Sequence, residues 1–129
     1  MQRHRAHAAE GVLYAQPEGS PLMEFSSGGR VLYLLDRSGP YAVRPGPGRV
    51  LVSGVLQALE PLDGEDWEEQ LSVTGVSALE GVGEVLAAER GTLVVRARLP
   101  LVLAGPRDLP PPGRWVRFVT EAPLHGFLV

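Results

Sequence analysis

Six residues near the C-terminus have the side chains best suited to binding an anionic ligand. They lie in or beside residues 98–118, RLPLVLAGPRDLPPPGRWVRF, and are Arg96, Arg98, Arg107, Arg114, Trp115 and Arg117. A guanidinium group binds phosphate through paired hydrogen bonds, and an exposed tryptophan offers a surface on which a base stacks. This combination is typical of proteins that bind single-stranded nucleic acid without reading its sequence. We therefore predict a binding surface for single-stranded DNA or RNA at these residues.

This prediction depends on how two strands are placed. If strands over 92–99 and 114–121 are neighbours, their outward faces bring most of the six residues together, with Arg107 on the intervening loop. The alternative is that these arginines are simply solvent-exposed side chains with no binding role. The chain has no lysine, so any strongly basic side chain on its surface must be arginine. Trp115 can equally belong to the core, and the arginines can pair with acidic residues of the same chain or of a second copy.

Charge is separated along the chain. Residues 60–69, EPLDGEDWEE, contain six acids and no base, whereas residues 90–117 contain six arginines and one acid, Asp108. The formal net charge of −3 therefore conceals one acidic and one basic segment. Because local patches steer partners more directly than the total charge does, nucleic acid, a protein partner and a second copy of the chain all fit this pattern.

No catalytic or metal-binding signature accompanies these residues. Cysteine is absent, which excludes disulfides and thiolate ligands. His4 and His7 have no carboxylate or thiolate at metal-ligand spacing, and His125 has no nucleophile motif beside it. The acidic run lacks the alternation of a calcium loop, and GVGEVL at 81–86 lacks the third glycine of a dinucleotide fingerprint. We expect a non-catalytic protein with no cofactor and no metal.

The chain length and the regular spacing of glycine and proline indicate one all-β domain over residues 1–129. Glycine and proline recur every eight to twelve residues between short valine- and leucine-rich segments, as in barrels and sandwiches. We predict a small antiparallel β-barrel, with a β-sandwich as the alternative. Residues 1–9 are expected to be a flexible tail, 10–47 to be additional N-terminal strands, and 48–129 to form the barrel core.

The sequence contains neither a membrane-spanning apolar run nor the apolar centre of a signal peptide, so we expect a cytoplasmic protein without membrane contact. Asparagine and cysteine are both absent and proline is abundant. These features fit a thermophilic source, although the missing lysine, asparagine and isoleucine also fit codon usage in a G+C-rich genome.

Alternation of apolar and polar residues locates the strands. The clearest is 67–74, WEEQLSVT, with Trp67 and every second residue after it on one face. In TLVVRARL, 92–99, the odd-numbered residues face inward and Val94 faces outward. Val116 and Phe118 are expected to point into the core. Further strands are predicted at 11–16, 22–26, 30–36, 49–59 and 123–129.

Residues 77–91 are ambiguous between helix and hairpin. Ser77 and Glu80 fit a helix capping box, and Gly91 suits the position after a helix. Gly81 and Gly83 oppose a helix by about 1 kcal/mol each relative to alanine. We therefore favour a hairpin in which 82–88 pairs with 92–99.

From Gly48 onward the order of elements resembles the OB-fold, the five-stranded Greek-key barrel that binds oligonucleotides and oligosaccharides. The resemblance rests on a long first strand, GRVLVSGVLQALE at 48–60, that bends at Gly54, followed by strands near 67–76, 82–88, 92–99 and 114–121. It implies that 100–113, PLVLAGPRDLPPPG, is a loop that touches ligand, and that the surface predicted above binds oligonucleotides.

A short motif occurs twice. PGPGRVLV at 45–52 and PPPGRWVR at 110–117 share the pattern P-x-P-G-R. It indicates either a duplicated unit or a turn followed by a strand that arose twice independently, and from the sequence we prefer the second interpretation.

Three function classes therefore remain open, and each predicts a different surface. Nucleic-acid binding requires a contiguous exposed basic face with Trp115 uncovered. A protein-interaction or self-assembling module requires an apolar face or complementary charged ends. A small-ligand barrel or an unrecognised enzyme requires a concave apolar pocket with convergent polar groups.

Overall fold

The computed structural model describes residues 2–38 and 43–129, and these form an almost entirely β structure. Part of the predicted N-terminal additions, residues 39–42, lies outside the described residues. A 3₁₀ helix at Gln2–His7 precedes the first strand, in the region for which the sequence predicts a flexible tail. The strands are β1 (Ala9–Leu13), β2 (Leu22–Ser27), β3 (Arg30–Asp36), β4 (Gly46–Leu62), β5 (Gln70–Thr74), β6 (Ala78–Glu89), β7 (Thr92–Ala97), β8 (Leu99–Ala104), β9 (Trp115–Thr120) and β10 (His125–Leu128).

Five strands close into the predicted barrel. Around the ring the order is β4-β8-β7-β6-β9 and back to β4, with β4 and β8 parallel and the other neighbours antiparallel. We call this ring the C-terminal barrel. Its interior is filled by side chains such as Leu93, Val95, Val116 and Phe118, all fully or almost fully buried. The prediction of an all-β barrel with additional strands is confirmed.

The additional N-terminal strands close a second ring. β1 pairs with β2 and with the start of β4, β2 pairs with β3, and β10 lies between β3 and β4. We call this ring the N-terminal barrel. Its interior contains Met23, Phe25, Leu32 and Leu34, each with no exposed surface. The two barrels share β4, whose first half belongs to one ring and second half to the other.

The long strand predicted at 48–60 is present and continues through Gly54 as Gly46–Leu62. Gly54 is buried, and a Cβ atom there would lie 3.0 Å from Leu124 Cδ2. The absence of a side chain thus lets β4 pass close to its neighbours while it pairs on both edges. This strand is the element common to both barrels, because β1, β8, β9 and β10 all pair with it.

Two strand assignments made from sequence are wrong. The segment predicted as a ligand loop contains β8, because 99–104 is continuously apolar and pairs with both β7 and β4. β5, predicted as the second barrel strand, pairs only with β6 and lies outside the ring; it starts at Gln70, so Trp67 precedes it. Trp67 instead donates its indole N–H to the Asp63 carbonyl oxygen at 2.9 Å.

Other local predictions are confirmed, with one exception. Residues 78–89 form a strand that pairs with β7, so the hairpin is correct and the helix is not. Leu93, Val95, Ala97 and Leu99 are buried as predicted. Val94, predicted to face solvent, is also buried, because it packs between the two barrels beside Leu51 and Val102. Among the described residues, no helix has the length and apolar character needed to cross a bilayer.

Candidate binding surfaces

The two strands that carry the predicted nucleic-acid site are not neighbours. β6 lies between β7 and β9, with Glu84 directly opposite both Arg96 and Trp115. The expectation that Arg96 and Arg117 lie on adjacent strands is therefore wrong. It failed because the helix-or-strand ambiguity of 77–90 left the position of β6 undetermined, and β6 inserts its own carboxylates into the predicted basic face.

The acidic run also reaches these arginines. Arg117 forms an ion pair with Glu60 at 2.8 Å, and the two residues are cross-strand partners between β9 and β4. Arg114 contacts Asp63 at 3.4 Å and donates through Nε to the Leu62 carbonyl oxygen at 2.9 Å. The chain thus matches its own acidic segment against its basic segment, as the alternative interpretation of the arginines requires.

Arg96 and Arg98 share a third acidic partner. Glu69 lies 4.0 Å from Arg96 Nε and accepts a hydrogen bond from the Arg98 backbone N–H at 2.6 Å. Arg98 is the single residue between β7 and β8, with φ of 68°, so it is a turn residue and does not belong to an outward strand face. The Arg96–Glu69 and Arg117–Glu60 ion pairs are partly exposed, and an exposed pair of this kind contributes about 0–1 kcal/mol. Their importance is electrostatic, since they neutralise the surface on which phosphates would lie.

The remaining two predicted residues occupy less favourable positions for stacking. Trp115 is half-buried at the start of β9, where it is flanked by Glu84 on one side and Leu62 on the other. Arg107 lies exposed on the loop between β8 and β9, away from the regular strands. Arg96, Arg114, Trp115 and Arg117 do belong to one barrel, but carboxylates interrupt them.

Within the part of the chain that the structure describes, no three His, Asp or Glu residues are arranged to hold a metal ion. Likewise, no buried side-chain polar atom of the described residues lacks a hydrogen-bond partner.

A different surface, which the sequence analysis missed, exposes four large apolar or aromatic side chains. Val12 and Tyr14 lie at β1, and Val31 and Tyr33 lie on β3. Their exposed fractions are 42%, 41%, 41% and 39% respectively. All four point away from the N-terminal barrel interior, on the two strands that flank β2. We call this surface the tyrosine face.

The middle of the tyrosine face is polar and acidic. Glu24 lies opposite Tyr33 in the β2–β3 ladder, and its carbonyl oxygen accepts the Tyr14 N–H at 3.1 Å. Ser26 is the partner of both Val12 and Val31. Among the described residues, no arginine or histidine forms an ion pair with Glu24. The face therefore combines apolar side chains with the carboxylate of Glu24.

The sequence pattern at this face points away from exposure. In RVLYLLD at 30–36, apolar residues occupy both alternating positions, so both sides of the strand are apolar. That pattern usually indicates a strand buried on both faces. Here one side fills the barrel and the other remains in solvent.

No protein-family model matches this chain, and no match was found among curated proteins or among solved structures.

Proposed function

We propose that this protein is a non-catalytic binding module that recognises a protein partner through the tyrosine face. The observation that supports this most directly is the exposure of Val12 and Tyr14 on one side of β2 and of Val31 and Tyr33 on the other, while the alternate residues of these strands are buried in the barrel. Tyrosine is enriched at protein interfaces because it provides a large, rigid contact area and a hydroxyl group at low conformational cost. Exposed apolar side chains grouped on one face of a small protein typically mark such a site.

Electrostatics favour a polypeptide over a nucleic acid at this surface. Nucleic-acid affinity comes mainly from neutralising phosphates with Lys and Arg. The tyrosine face instead presents Glu24 at its centre. At its edge lies a second exposed carboxylate, Glu10, whose partner in the β1–β4 ladder is Arg49. A phosphate backbone crossing this face would meet a carboxylate where it needs a cation.

The same charge defines the partner. We propose a surface or segment whose apolar side chains cover the two valines and the two tyrosine rings, with a Lys or Arg side chain that reaches Glu24. Two copies of the tyrosine face placed against each other would bring Glu24 near Glu24, which disfavours symmetric self-association through this surface. A complementary basic residue on the partner removes that penalty and fixes the register of binding.

The OB-type assignment belongs to this proposal and has topological support. β6 to β9 are consecutive strands in the spatial order β9-β6-β7-β8, which is the Greek-key order, and β4 closes the ring. β1 to β4 have the same order in the N-terminal barrel. In OB-folds the face of the second and third strands binds ligand. In the N-terminal barrel those strands are β2 and β3, which carry part of the tyrosine face.

Binding of single-stranded nucleic acid through Arg96, Arg98, Arg107, Arg114, Trp115 and Arg117 is the second candidate function. Its support is that several of these residues surround β6 on the same barrel. It ranks second because Glu60, Asp63 and Glu69 already pair with four of the arginines, through a main-chain hydrogen bond in the case of Arg98.

A selection from a phage-displayed random peptide library on the immobilised full chain tests the first proposal. We expect enriched peptides to combine apolar residues with Lys or Arg, and to lose at least tenfold in affinity for Tyr33→Ser and for Glu24→Gln. Val55→Ser is the matched control, because Val55 is 45% exposed and lies outside the tyrosine face. Enrichment of acidic peptides, or peptides insensitive to Tyr33→Ser, would overturn the proposal.

The second candidate has its own measurement. Fluorescence anisotropy of a labelled oligo(dT) follows binding from low to moderate salt. Micromolar binding that weakens with salt and is lost in Arg96→Ala/Arg117→Ala would support the arginine surface. No binding at low salt would eliminate this candidate.

A further inference from the structure

We infer that this chain is an internal duplication, in which two copies of one five-stranded unit each place their last strand in the barrel of the other copy. The first unit comprises β1 to β4, in which the two halves of β4 count as the fourth and fifth strands, and the second comprises β6 to β10. The inference does not depend on the proposed function. It rests on the strand ladders and on contacts between corresponding elements.

The antiparallel ladders of the two barrels match residue by residue. Leu13 pairs with Phe25 in the first unit, and Val85 pairs with Val95 in the second. Continuing to the next strand, Phe25 pairs with Leu32, and Val95 pairs with Leu101. Every one of these six side chains is buried, so the correspondence extends to what fills each barrel.

Glycines confirm the same register. Gly11 and Gly83 occupy corresponding positions in β1 and β6. A Cβ atom at Gly11 would collide with the Ser26 carbonyl oxygen, and one at Gly83 would lie 2.5 Å from the Arg96 carbonyl oxygen. Ser26 and Arg96 are themselves corresponding residues, because each precedes by one position the last residue of the second strand. The same close approach of strand backbones therefore occurs once in each barrel.

The fifth strands are exchanged. Each barrel has one parallel pair: β3 with β10 in the N-terminal barrel, and β8 with β4 in the C-terminal barrel. β10 follows β9 in the second unit but completes the first barrel. The second half of β4 ends the first unit but completes the second barrel. Neither unit thus contains all five strands of the barrel to which it contributes four.

Corresponding elements touch each other, as a two-fold relation requires at its axis. The β2–β3 turn corresponds to the β7–β8 turn, and a Cβ atom at Gly28 would lie 2.6 Å from the Arg98 carbonyl oxygen. Arg98 also reaches back to donate a hydrogen bond to the Gly28 carbonyl oxygen at 3.4 Å. At the start of the exchanged strands, Gly54 and Leu124 correspond and are also in close contact.

The repeated motif lies near the start of the fourth strand of each unit, but it is out of register with the ladders. The first copy, 45–52, opens β4, and the second copy, 110–117, opens β9, the fourth strand of each unit. The ladders align Gly48 with Val116, since these pair with Gly11 and Gly83. In the motif itself Gly48 matches Gly113, so the two copies are displaced by three residues relative to the ladders. The motif therefore does not support the duplication, and the preference for independent origin of the motif, reached from the sequence, is unchanged.

The duplication also places the tyrosine face in correspondence with a buried surface of the C-terminal barrel. Glu24 and Tyr33 of the tyrosine face correspond to Val94 and Val102, which are paired in the same way between β7 and β8. In the C-terminal barrel these valines are buried against Leu51, Phe127 and Val129. The two copies have diverged, one using this face between the barrels and the other leaving it in solvent.

A nicked form of the full chain tests the exchange. A recognition sequence for a specific protease, placed at Gly64 in the exposed link between the units, divides the chain after folding. We expect the cleaved protein to elute from size-exclusion chromatography as one species at the full-length mass, with the uncut protein as control. Urea should separate the two fragments, and removal of urea from the mixture should restore the associated form at the full-length mass. Fragments that separate without urea would overturn the inference.

A disulfide trap provides a second readout. Ser53 and His125 are direct partners between β4 and β10. Because the chain has no cysteine, only Ser53→Cys/His125→Cys thiols are available to copper-phenanthroline oxidation. We expect the two fragments of the nicked variant to remain covalently joined until reduced, and those of the control Ser53→Cys/Glu89→Cys to remain separable. Equal cross-linking of both variants, or of neither, would contradict the strand exchange.

Discussion

Truncating one buried leucine in each barrel provides a quantitative test of how closely the barrels are coupled. Leu34 and Leu103 lie on corresponding strands, β3 and β8, and neither has any exposed surface. Leucine-to-alanine changes at such positions cost about 2–5 kcal/mol, through lost burial and the cavity that remains. Since the barrels share β4 and exchange their last strands, we predict that Leu34→Ala and Leu103→Ala each destabilise the whole chain.

Urea denaturation, followed by far-ultraviolet circular dichroism and tryptophan fluorescence, gives the magnitude. With a loss of about 3 kcal/mol and an m value of roughly 1.5 kcal/mol/M, the midpoint should fall by about 2 M for either variant. Both tryptophans, Trp67 and Trp115, lie outside the N-terminal barrel. Their fluorescence should nevertheless report the Leu34→Ala shift in full.

The exposed substitution Val76→Ala is the control, because Val76 is 66% exposed and surface changes usually alter stability by less than about 0.5 kcal/mol. A biphasic curve would refute the reasoning, particularly if Leu34→Ala moved the circular dichroism signal and left the fluorescence midpoint unchanged. That result would mean that the barrels unfold separately although they share a strand.

Three further substitutions follow from single contacts. Gly83→Ala places a methyl group 2.5 Å from a β7 carbonyl oxygen and should cost about 1–3 kcal/mol in urea denaturation; wild-type stability would contradict the close approach of β6 and β7. Ser77→Ala removes a buried hydroxyl that donates a hydrogen bond to the Tyr33 carbonyl oxygen and accepts one from the Leu124 N–H, just before β10. This loss should lower the thermal midpoint by an amount equivalent to about 1–3 kcal/mol. Arg117→Gln breaks the exposed pair with Glu60 and should change stability by less than about 1 kcal/mol, a result that a larger loss in calorimetry would refute.

The all-β class and most strands could be predicted because they depend on local pattern. Alternation placed Leu93, Val95, Val116 and Phe118 inside, and each is buried. Glycine content selected the hairpin over the helix at 77–90, as the structure confirms. These features are determined within a few residues along the chain, so the sequence suffices to predict them.

The sequence could not predict which strands are neighbours in the sheet, and the predicted arginine surface depended on those neighbours. Nothing in β7 or β9 indicates that β6 lies between them, and the carboxylate of Glu84 enters the arginine surface only through that pairing. Val94 illustrates the same difficulty, since its burial comes from Leu51 and Phe127, which are distant in sequence. The tyrosine face was missed because an apolar strand with both sides hydrophobic predicts burial on both sides.

The proposed function is tested most directly by mapping where a selected peptide binds. Two-dimensional ¹H–¹⁵N spectra of the labelled full chain, recorded during titration with an enriched apolar and basic peptide, report the contact surface by residue. The proposal predicts that the largest shifts occur at Val12, Tyr14, Glu24, Val31 and Tyr33, while the amides around Arg96 and Arg117 remain unchanged. Shifts concentrated on β7 and β9, with the amides of the tyrosine face unaffected, would contradict it.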